Sequence, residues 1–349
     1  MTQINETRRR ILGAAGAATL ATAFGGTMLG TSRTAGAESL KTLRWGIVGT
    51  GGIANSMAGM IKLADAGEIG AVSSRRMESA RTFAEKHDVP NAFDSWQAMI
   101  DSGTVDAVYV ATPTSVREEI CIAAANGGKH VLGEKPFASL PSVKRITAAC
   151  RDNNVAFMDG THFVHHPRTL HIKQNREDEL GFVWSVASAF QFNLADRGNI
   201  RFNPGLEPMG AIGDAGWYNM RAAVEYLPPD VVLDTVSAHL RRDKETGAAI
   251  SGTGVLDITD GSTSTWNCGF DSGAVVMDLR ITGTAGVINI DDFLSQNRDA
   301  SADYLYRKGG WGRGTSDEIN IPSSKPGAAL MFEDVAAAAA DPSLREQWM

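Results

Sequence analysis

Short apolar runs alternate with helical patterns in the first half of the chain. Five runs have the length and composition of buried strands, at residues 43–48, 69–73, 105–111, 130–133 and 155–159. Between them, apolar positions recur at helical spacing near residues 53–64, 78–87, 95–100, 116–125 and 142–152. Alternating strands and helices predict βαβ units and a parallel sheet.

The pattern changes after Pro167, where strand-like runs follow one another with Gly, Asp and Ser between them. These runs are residues 182–193, 231–240, 254–259, 262–270, 274–281 and 287–290. Consecutive strands with turn signals predict a mostly antiparallel sheet. The predicted fold class is therefore α/β, with an N-terminal Rossmann parallel sheet at 42–160. A C-terminal α+β domain, built on a large, mostly antiparallel open sheet, follows at 161–349.

Two features of the second half concern partners and substrate access. The flat face of the predicted sheet is the expected interface of a homodimer or homotetramer. The Gly-rich segment 308–316 is an expected flexible loop, for which a substrate lid is one interpretation.

Composition narrows the functional classes. The chain has 349 residues, of which 43% are hydrophobic, and a net charge of −7. An acidic chain with scattered Lys and Arg gives no reason to expect nucleic acid. Cys121, Cys150 and Cys268 lack metal or redox spacing and are interpreted as free thiols. The histidines at 162–166 have no acidic or cysteine partner at suitable spacing, so no metal is predicted.

The N-terminal 37 residues have the layout of an export signal. Arginines at 8–10 precede an apolar, Ala- and Gly-rich stretch at 11–24 that is too short to span a bilayer, and Ala-Gly-Ala at 35–37 is a small-x-small cleavage site. This order is similar to that of a twin-arginine signal. We expect a periplasmic or otherwise exported protein without membrane attachment after signal removal. The alternative is an Ala-rich tail that targets nothing.

A glycine fingerprint, Gly-Thr-Gly-Gly-Ile-Ala, follows the first predicted strand at 49–54. Gly49 permits a tight turn, and Gly51 lets the backbone approach a pyrophosphate. The helix that follows offers free N–H groups to phosphate. Gly49, Gly51, Gly52 and Ile53 are therefore candidate cofactor-binding residues. The alternative is a Gly-rich turn of an unliganded sheet.

The end of the second predicted strand favours one cofactor. An NAD enzyme usually carries Asp or Glu about 20 residues past the glycines, whereas this strand ends in Ser73, Ser74, Arg75 and Arg76. Two hydroxyls and a guanidinium can bind a ribose 2′-phosphate. Ser73, Ser74 and Arg75 therefore favour NADP(H), with NAD(H) as the alternative. For Arg76 the alternative is an exposed helix start.

A Gly-Glu-Lys-Pro run ends a later predicted strand and contains Glu134 and Lys135. Ligands of open α/β sheets bind outside the carboxyl ends of the strands, so Lys135 is expected beside a nicotinamide. With the glycine fingerprint, this run resembles the family of glucose-fructose oxidoreductase and inositol dehydrogenase. The resemblance covers roughly residues 42–335. It implies that Thr112 and Pro113 line the nicotinamide side and that Glu134 and Lys135 contact the cofactor.

The run from Asp214 to Tyr218, Asp-Ala-Gly-Trp-Tyr, resembles the second signature of that family. On a helix starting at Asp214 the two residues would share one face. The resemblance implies that Lys135 orients and polarises the substrate, Asp214 orients it and Tyr218 is the acid/base. A nearby Lys135 and an oxidised nicotinamide would favour tyrosinate. The alternatives are a helix N-cap for Asp214 and a plain core aromatic for Tyr218.

The run at 160–167 departs from the family pattern. His162 and Val164 stand where many sugar-oxidising members carry Trp and Arg, so the pocket differs from that of a standard aldose enzyme. We expect His162 to line the substrate site together with Lys135 and Tyr218.

The predicted function is an NADP(H)-dependent oxidoreductase acting on a CH–OH or C=O group of a sugar or sugar-like substrate. Because an exported enzyme has no ready supply of cofactor, we expect tightly held NADP(H) that a second substrate resets, as in glucose-fructose oxidoreductase. Two alternatives remain: an NAD-dependent glycoside hydrolase of the same family, and a non-catalytic dinucleotide-binding sensor.

Overall fold

The computed structural model describes residues 42–65, 67–294, 300–310 and 314–348. Its first sheet is parallel and six-stranded, with the strand order β3-β2-β1-β4-β5-β6. The strands are β1 (Leu43–Val48), β2 (Gly67–Ser73), β3 (Ala92–Phe93), β4 (Ala107–Val110), β5 (His130–Gly133) and β6 (Phe157–Asp159). The helices between them are α1 (Gly52–Leu63), α2 (Met77–His87), α3 (Trp96–Asp101), α4 (Thr114–Asn126) and α5 (Leu140–Asp152). The predicted Rossmann sheet is confirmed, and the short strand β3 is an addition to it.

Both faces of this sheet are buried, as a parallel sheet requires. Along β4, Tyr109 joins the apolar core on one face and Val108 joins the core on the other. The last long helix, α9 (Gly327–Ala340), packs on the Tyr109 side: the Phe332 ring meets the Trp45 ring edge-on with centroids 4.9 Å apart. A helix from the end of the chain therefore completes the core of the first sheet.

The second sheet has nine strands in the order β15-β14-β13-β12-β7-β10-β9-β8, with β11 paired to β7. The strands are β7 (Val183–Asn193), β8 (Leu233–Arg242), β9 (Ala249–Ile258), β10 (Thr263–Gly269), β11 (Asp271–Val276), β12 (Leu279–Gly283), β13 (Gly286–Ile290), β14 (Ala302–Lys308) and β15 (Asp317–Ile321). Among the described strand pairs of this second sheet, only β7 and β10 are parallel, so the predicted mostly antiparallel sheet is confirmed. The single strand predicted at 274–281 is wrong, since the chain divides there into β11 and β12.

Three helices accompany the second sheet: α6 (Pro167–Leu180), α7 (Gly210–Asp214) and α8 (Gly216–Tyr226). Ile172 of α6 and Ala222 of α8 pack with Val186 and Ile281 of the sheet into one buried core. Every side chain of β8 is exposed, by contrast. The sheet thus has one covered face and an exposed edge strand.

Several predictions concern parts of the chain that the structure describes only partly or not at all. The export signal at 1–37 lies outside the described residues, and so do residues 311–313 of the predicted loop at 308–316. In the described part of the chain, no helix has the length and apolarity needed to cross a membrane. The domain division at residue 160 stays a prediction.

Candidate active site

A cavity of about 820 Å³ lies at the carboxyl ends of β1, β2, β4 and β5. This is where ligands of open α/β sheets bind, and the volume is that of a small-molecule site. One wall contains the glycine turn, residues 73–75, Thr112, Pro113 and residues 134–136. The rest of the wall contains residues 199–201, Leu206, Glu207, Asp214 and Tyr218. The site is therefore enclosed between the first sheet and the segments that lead into α7 and α8.

The glycine turn has the backbone conformation that its sequence predicts. Gly49 has φ +106°, and a Cβ added there would lie 2.8 Å from the main-chain oxygen of Ala111, so the position requires glycine. A Cβ on Gly51 or Gly52 would meet nothing within 4 Å, which leaves open space above the turn. Helix α1 begins at Gly52 without a side-chain cap, so its first N–H groups face this space unbonded by a capping side chain. This arrangement fits a pyrophosphate.

The end of β2 supplies polar groups to the same cavity. Ser73 is fully buried, and its hydroxyl has no hydrogen-bond partner within the described part of the chain. Ser74 and the exposed Arg75 line the cavity beside it. Asp94, which follows β3, also lines the cavity, and no sequence pattern had indicated a carboxylate there. A buried hydroxyl without a partner and an open glycine turn together fit a bound dinucleotide.

Lys135 and Asp214 form an ion pair at the inner end of the cavity. The Lys135 ammonium donates to Oδ1 of Asp214 (2.8 Å) and to the main-chain oxygen of the same residue (3.0 Å). Arg201 pairs with the carboxylate as well, with Nη2 2.9 Å from Oδ1 and Nε 2.7 Å from Oδ2. Burial opposes the charge of Asp214, but Lys135 and Arg201 outweigh it and hold its pKa well below the usual range. Asp214 is therefore a carboxylate shared by two cations.

The position of Asp214 in its helix differs from the prediction. Asp214 is the last residue of α7, and α8 begins at Gly216 after a break at Ala215. The helix start expected at Asp214, and with it the N-cap interpretation, is wrong. Asp214 and Tyr218 both line the cavity, although they belong to successive helices.

Tyr218 reaches the cavity from α8 and is 7% exposed. The Lys135 ammonium lies 4.9 Å from the centre of its ring. Burial raises the pKa of Tyr218 well above 10, and the charges of Glu134, Asp214 and Asp159 raise it further. Burial and these carboxylates dominate the pKa of Tyr218 here, and the tyrosinate expected from Lys135 together with an oxidised nicotinamide stays a prediction. Lys135 is already paired with Asp214, so the phenol is surrounded by carboxylates as well as by the ammonium.

Glu134 and the loop after β4 complete the first wall. The Tyr109 hydroxyl donates to Oε1 of Glu134 (2.6 Å), and burial raises the pKa of this carboxyl although Lys135 opposes the shift. The main-chain oxygen of Thr112 accepts from the Arg117 guanidinium. The Thr112 hydroxyl is buried and has no hydrogen-bond partner among the described residues.

The three clustered histidines have separate environments. His162 lies behind Tyr218, with Nε2 3.3 Å from the phenol oxygen, and is not among the residues of the cavity wall. His165 contacts Asp334 (2.7 Å), and His166 contacts the main-chain oxygen of Ala300 (3.2 Å). In the part of the chain that the structure describes, no group of three or more His, Cys, Asp or Glu is placed to hold a metal ion.

Sequence reasoning missed the segment from Leu194 to Met209, which we call the strap. It carries Arg201 to Asp214, as described above. It also carries Glu207 to the N-terminus of α4, where the Glu207 carboxylate accepts from the main-chain N–H (2.9 Å) and the hydroxyl (2.6 Å) of Thr114. No motif marks these contacts, since the Glu207–Thr114 pair spans 93 residues.

Comparison with known proteins agrees with this geometry. Residues 43–161 match the family described as "Oxidoreductase family, NAD-binding Rossmann fold". Over 271 residues the chain is 30% identical to D-xylose 1-dehydrogenase (NADP(+)) 2 of Haloferax volcanii, covering 77% of this chain and 82% of that protein. Over 304 residues it is 29% identical to scyllo-inositol 2-dehydrogenase (NADP(+)) of Bacillus subtilis, covering 83% and 86%.

The fold has also been seen in solved structures. A 3-ketoreductase from Actinomadura kijaniata, solved with NADP and TDP-benzene, superposes with a TM-score of 0.80 at 23% identity, covering 88% of this chain and 93% of that one. At this identity the likeness concerns the fold alone. Taken with the sequence relatives, the chain belongs to the oxidoreductase family of glucose-fructose oxidoreductase and inositol dehydrogenase.

Proposed function

We propose that this protein is an NADP(H)-dependent oxidoreductase acting on a CH–OH or C=O group of a sugar or sugar-like ring. The observation that carries the proposal is one cavity with two chemically distinct ends. The outer end has the open glycine turn and the buried, unpartnered Ser73 hydroxyl. The inner end has Lys135, Asp214 and Tyr218. A dinucleotide bound along the first wall fits beside a polar substrate at the inner end.

The cofactor assignment rests on the end of β2. Ser73, Ser74 and Arg75 line the cavity where the adenosine ribose of a Rossmann ligand lies, and a guanidinium with hydroxyls suits a 2′-phosphate. The xylose and inositol dehydrogenases compared above are both named for NADP(+), which supports NADP(H) over NAD(H).

The inner residues have complementary roles. When bound, NADP(H) supplies or takes up the hydride. The substrate oxygen then needs a proton partner, and Tyr218 holds a proton that it can donate during reduction of a carbonyl. The Lys135 ammonium polarises the same oxygen. Asp214 fixes the position of Lys135, and Arg201 fixes Asp214, so the ammonium is oriented before substrate arrives.

The charges of the cavity support a neutral substrate. Arg117 is bonded to main-chain carbonyls, while Lys135 and Arg201 both pair with Asp214. Arg75 lies at the cofactor end, and no other Lys or Arg is on the described cavity wall. At the substrate end each described Lys or Arg already has a partner. None of them is therefore left unpaired to bind the pyrophosphate of a sugar nucleotide. This favours a free sugar or polyol over a sugar nucleotide.

Export and cofactor retention belong to the same proposal. The twin-arginine pattern at 1–37 supports an exported enzyme, which then needs to keep the NADP(H) with which it folded. Retention through dilution requires a Kd of about 1 nM or lower, near −12 kcal/mol. A second carbonyl or alcohol substrate would reset the bound cofactor. The exposed apolar side chains Leu233, Val236 and Val275 support assembly into a homodimer or homotetramer through the second sheet.

The test is to identify the cofactor and then the substrate. Mass spectrometry of purified protein after gel filtration is expected to find NADP(H). A panel of neutral sugars, polyols, sugar nucleotides and aryl glycosides, followed by nicotinamide absorbance, is expected to give turnover with neutral sugars or polyols. Bound NAD(H), or turnover only with sugar nucleotides, would contradict the proposal. Cleavage of aryl glycosides without net cofactor turnover would point to the glycoside hydrolase alternative.

A further inference from the structure

His162 lies directly behind the tyrosine that faces the substrate end of the cavity. Its Nε2 is 3.3 Å from the phenol oxygen of Tyr218, and the two ring centroids are 5.5 Å apart with the planes inclined by 51°. His162 is 7% exposed, and the cavity wall includes Tyr218 but not His162. The imidazole therefore contacts the phenol rather than the cavity.

The local fold fixes the position of this imidazole. His162 is the first residue of a short 3₁₀ helix, His162–His165, and α9 packs against this helix. The contact with α9 is close: a Cβ added at Gly327, the first residue of α9, would lie 2.8 Å from the main-chain oxygen of His162. The backbone that carries the imidazole is thus held between α9 and the core that contains Phe163 and Tyr218.

The protonation state of His162 follows from its surroundings. Burial lowers the pKa of His162 to about 3, and the positive charge of Lys135 lowers it further, so the ring is neutral at working pH. A neutral imidazole carries one proton, on Nδ1 or on Nε2. Within the described part of the chain Nδ1 has no hydrogen-bond partner. Because buried N–H groups without an acceptor are rare, the proton belongs on Nε2, beside the phenol oxygen.

We propose that His162 is a positioning residue that donates a hydrogen bond from Nε2–H to the phenol oxygen of Tyr218. A phenol that accepts on one side keeps its own O–H for another direction. With His162 behind it, the Tyr218 proton is directed into the cavity, towards the substrate oxygen. The same hydrogen bond stabilises the phenolate after the proton has left. The catalytic consequence rests on the proposed function, whereas the hydrogen bond and its direction do not.

The direction of the hydrogen bond can be tested without any substrate. The protein has seven histidines, so ¹⁵N-histidine labelling gives a tractable NMR spectrum, and the His162→Gln variant identifies the His162 signals. We expect a neutral ring with the proton on Nε2, unchanged as the pH is lowered from 7 to about 5, well above the lowered pKa. A proton on Nδ1, or a doubly protonated ring at neutral pH, overturns the proposal.

The kinetic consequence is tested with two variants in two backgrounds, using the substrate found in the panel. His162→Leu removes the donor, and His162→Gln keeps an N–H donor near the position of Nε2. We expect His162→Leu to lower kcat about tenfold, the value of one hydrogen bond in the transition state, with KM nearly unchanged and cofactor still bound. His162→Gln should recover most of kcat.

A double-mutant cycle separates positioning from packing. In a Tyr218→Phe background, His162→Leu should have almost no further effect on kcat, because the phenol on which His162 acts is gone. An equal loss of kcat in both backgrounds would mean a packing role and overturn the proposal. If the wild-type protein oxidises and reduces no sugar at all, the proposed function fails, and the tautomer measurement still decides the hydrogen bond.

Discussion

Asp214 allows the most quantitative test of the site, because one carboxylate pairs with two cations. The side chains of Lys135 and Asp214 are only 10% and 11% exposed, whereas the Arg201 side chain is 35% exposed. Replacing Asp214 with Asn keeps the shape and one acceptor oxygen but removes the charge. Lys135 then remains buried without its ion-pair partner, next to a second cation.

The expected loss of stability follows from this burial. Removing one partner of a buried ion pair destabilises a protein by about 3–5 kcal/mol. We expect the lower end, about 3 kcal/mol, since Arg201 can turn to solvent and the Asn oxygen still accepts from Lys135. The pKa of Asp214 is held well below the unfolded value of about 3.9. Its contribution is therefore fully present well above pH 4 and is lost progressively as the pH falls below that value towards the lowered pKa of the folded state.

The assay is denaturant unfolding of wild type and Asp214→Asn, followed by circular dichroism from pH 7 down to about pH 3.5. The difference in free energy of unfolding should be full at pH 7 and should shrink below pH 4. The control is Glu346→Gln, which breaks the exposed pair with Arg151 and should cost less than about 1 kcal/mol. A loss for Asp214→Asn as small as that of the control would refute the reasoning.

Three further predictions concern the cofactor, the strap and pH. Arg75→Ala should weaken the binding of NADP(H) by about 1.5–3 kcal/mol and leave the binding of NAD(H) unchanged. Titration calorimetry measures both affinities, with Arg76→Ala as control, and equal losses of affinity for the two cofactors would contradict the assignment. Glu207→Ala breaks the two hydrogen bonds between the strap and α4 and should speed cofactor dissociation about tenfold. An unchanged dissociation rate in stopped-flow fluorescence would contradict a role of the strap in holding the cofactor. Burial lowers the pKa of His130 to about 4, below the unfolded value near 6.5, so the free energy of unfolding should fall as the pH drops from 6.5 towards 4. The fall should reach up to about 1.4 kcal/mol per pH unit. His130→Gln should flatten this slope, and a slope that the substitution leaves unchanged would exclude the contribution of His130.

The parts of the fold that could be predicted from sequence are those with strong local signals. The bounds of β1 and β5 agree with the predicted runs because each strand contains a single polar side chain and ends at a turn signal. Strand β3 has only two residues, Ala92 and Phe93, which is too short for any periodicity. The short helix α7 was missed because Gly210 and Gly213 weaken the helical pattern before Asp214, where the helix was expected to start.

The residues of the candidate site also fall into those that local motifs mark and those that only the folded chain brings together. Local motifs marked the glycine turn, Lys135 and Tyr218, and all of them line one cavity. The contacts of Arg201 and Glu207 depend on the path of the strap across the site, which sequence spacing does not encode. The electrostatic environment of Tyr218 is likewise a property of the folded chain. The charge of Lys135 is already balanced by Asp214, and that pairing exists only in the folded chain.

The most direct test of the central claim is single-turnover hydride transfer in protein that holds its cofactor, mixed with the sugar found in the panel. Lys135→Ala and Tyr218→Phe should each slow the change in nicotinamide absorbance by about 10²–10⁴-fold while cofactor content stays the same. Tyr306→Phe, which alters a tyrosine of the second sheet bonded to Glu179, should react at the wild-type rate. A Tyr218→Phe variant that transfers hydride at nearly the wild-type rate would contradict the account and assign the proton to another group.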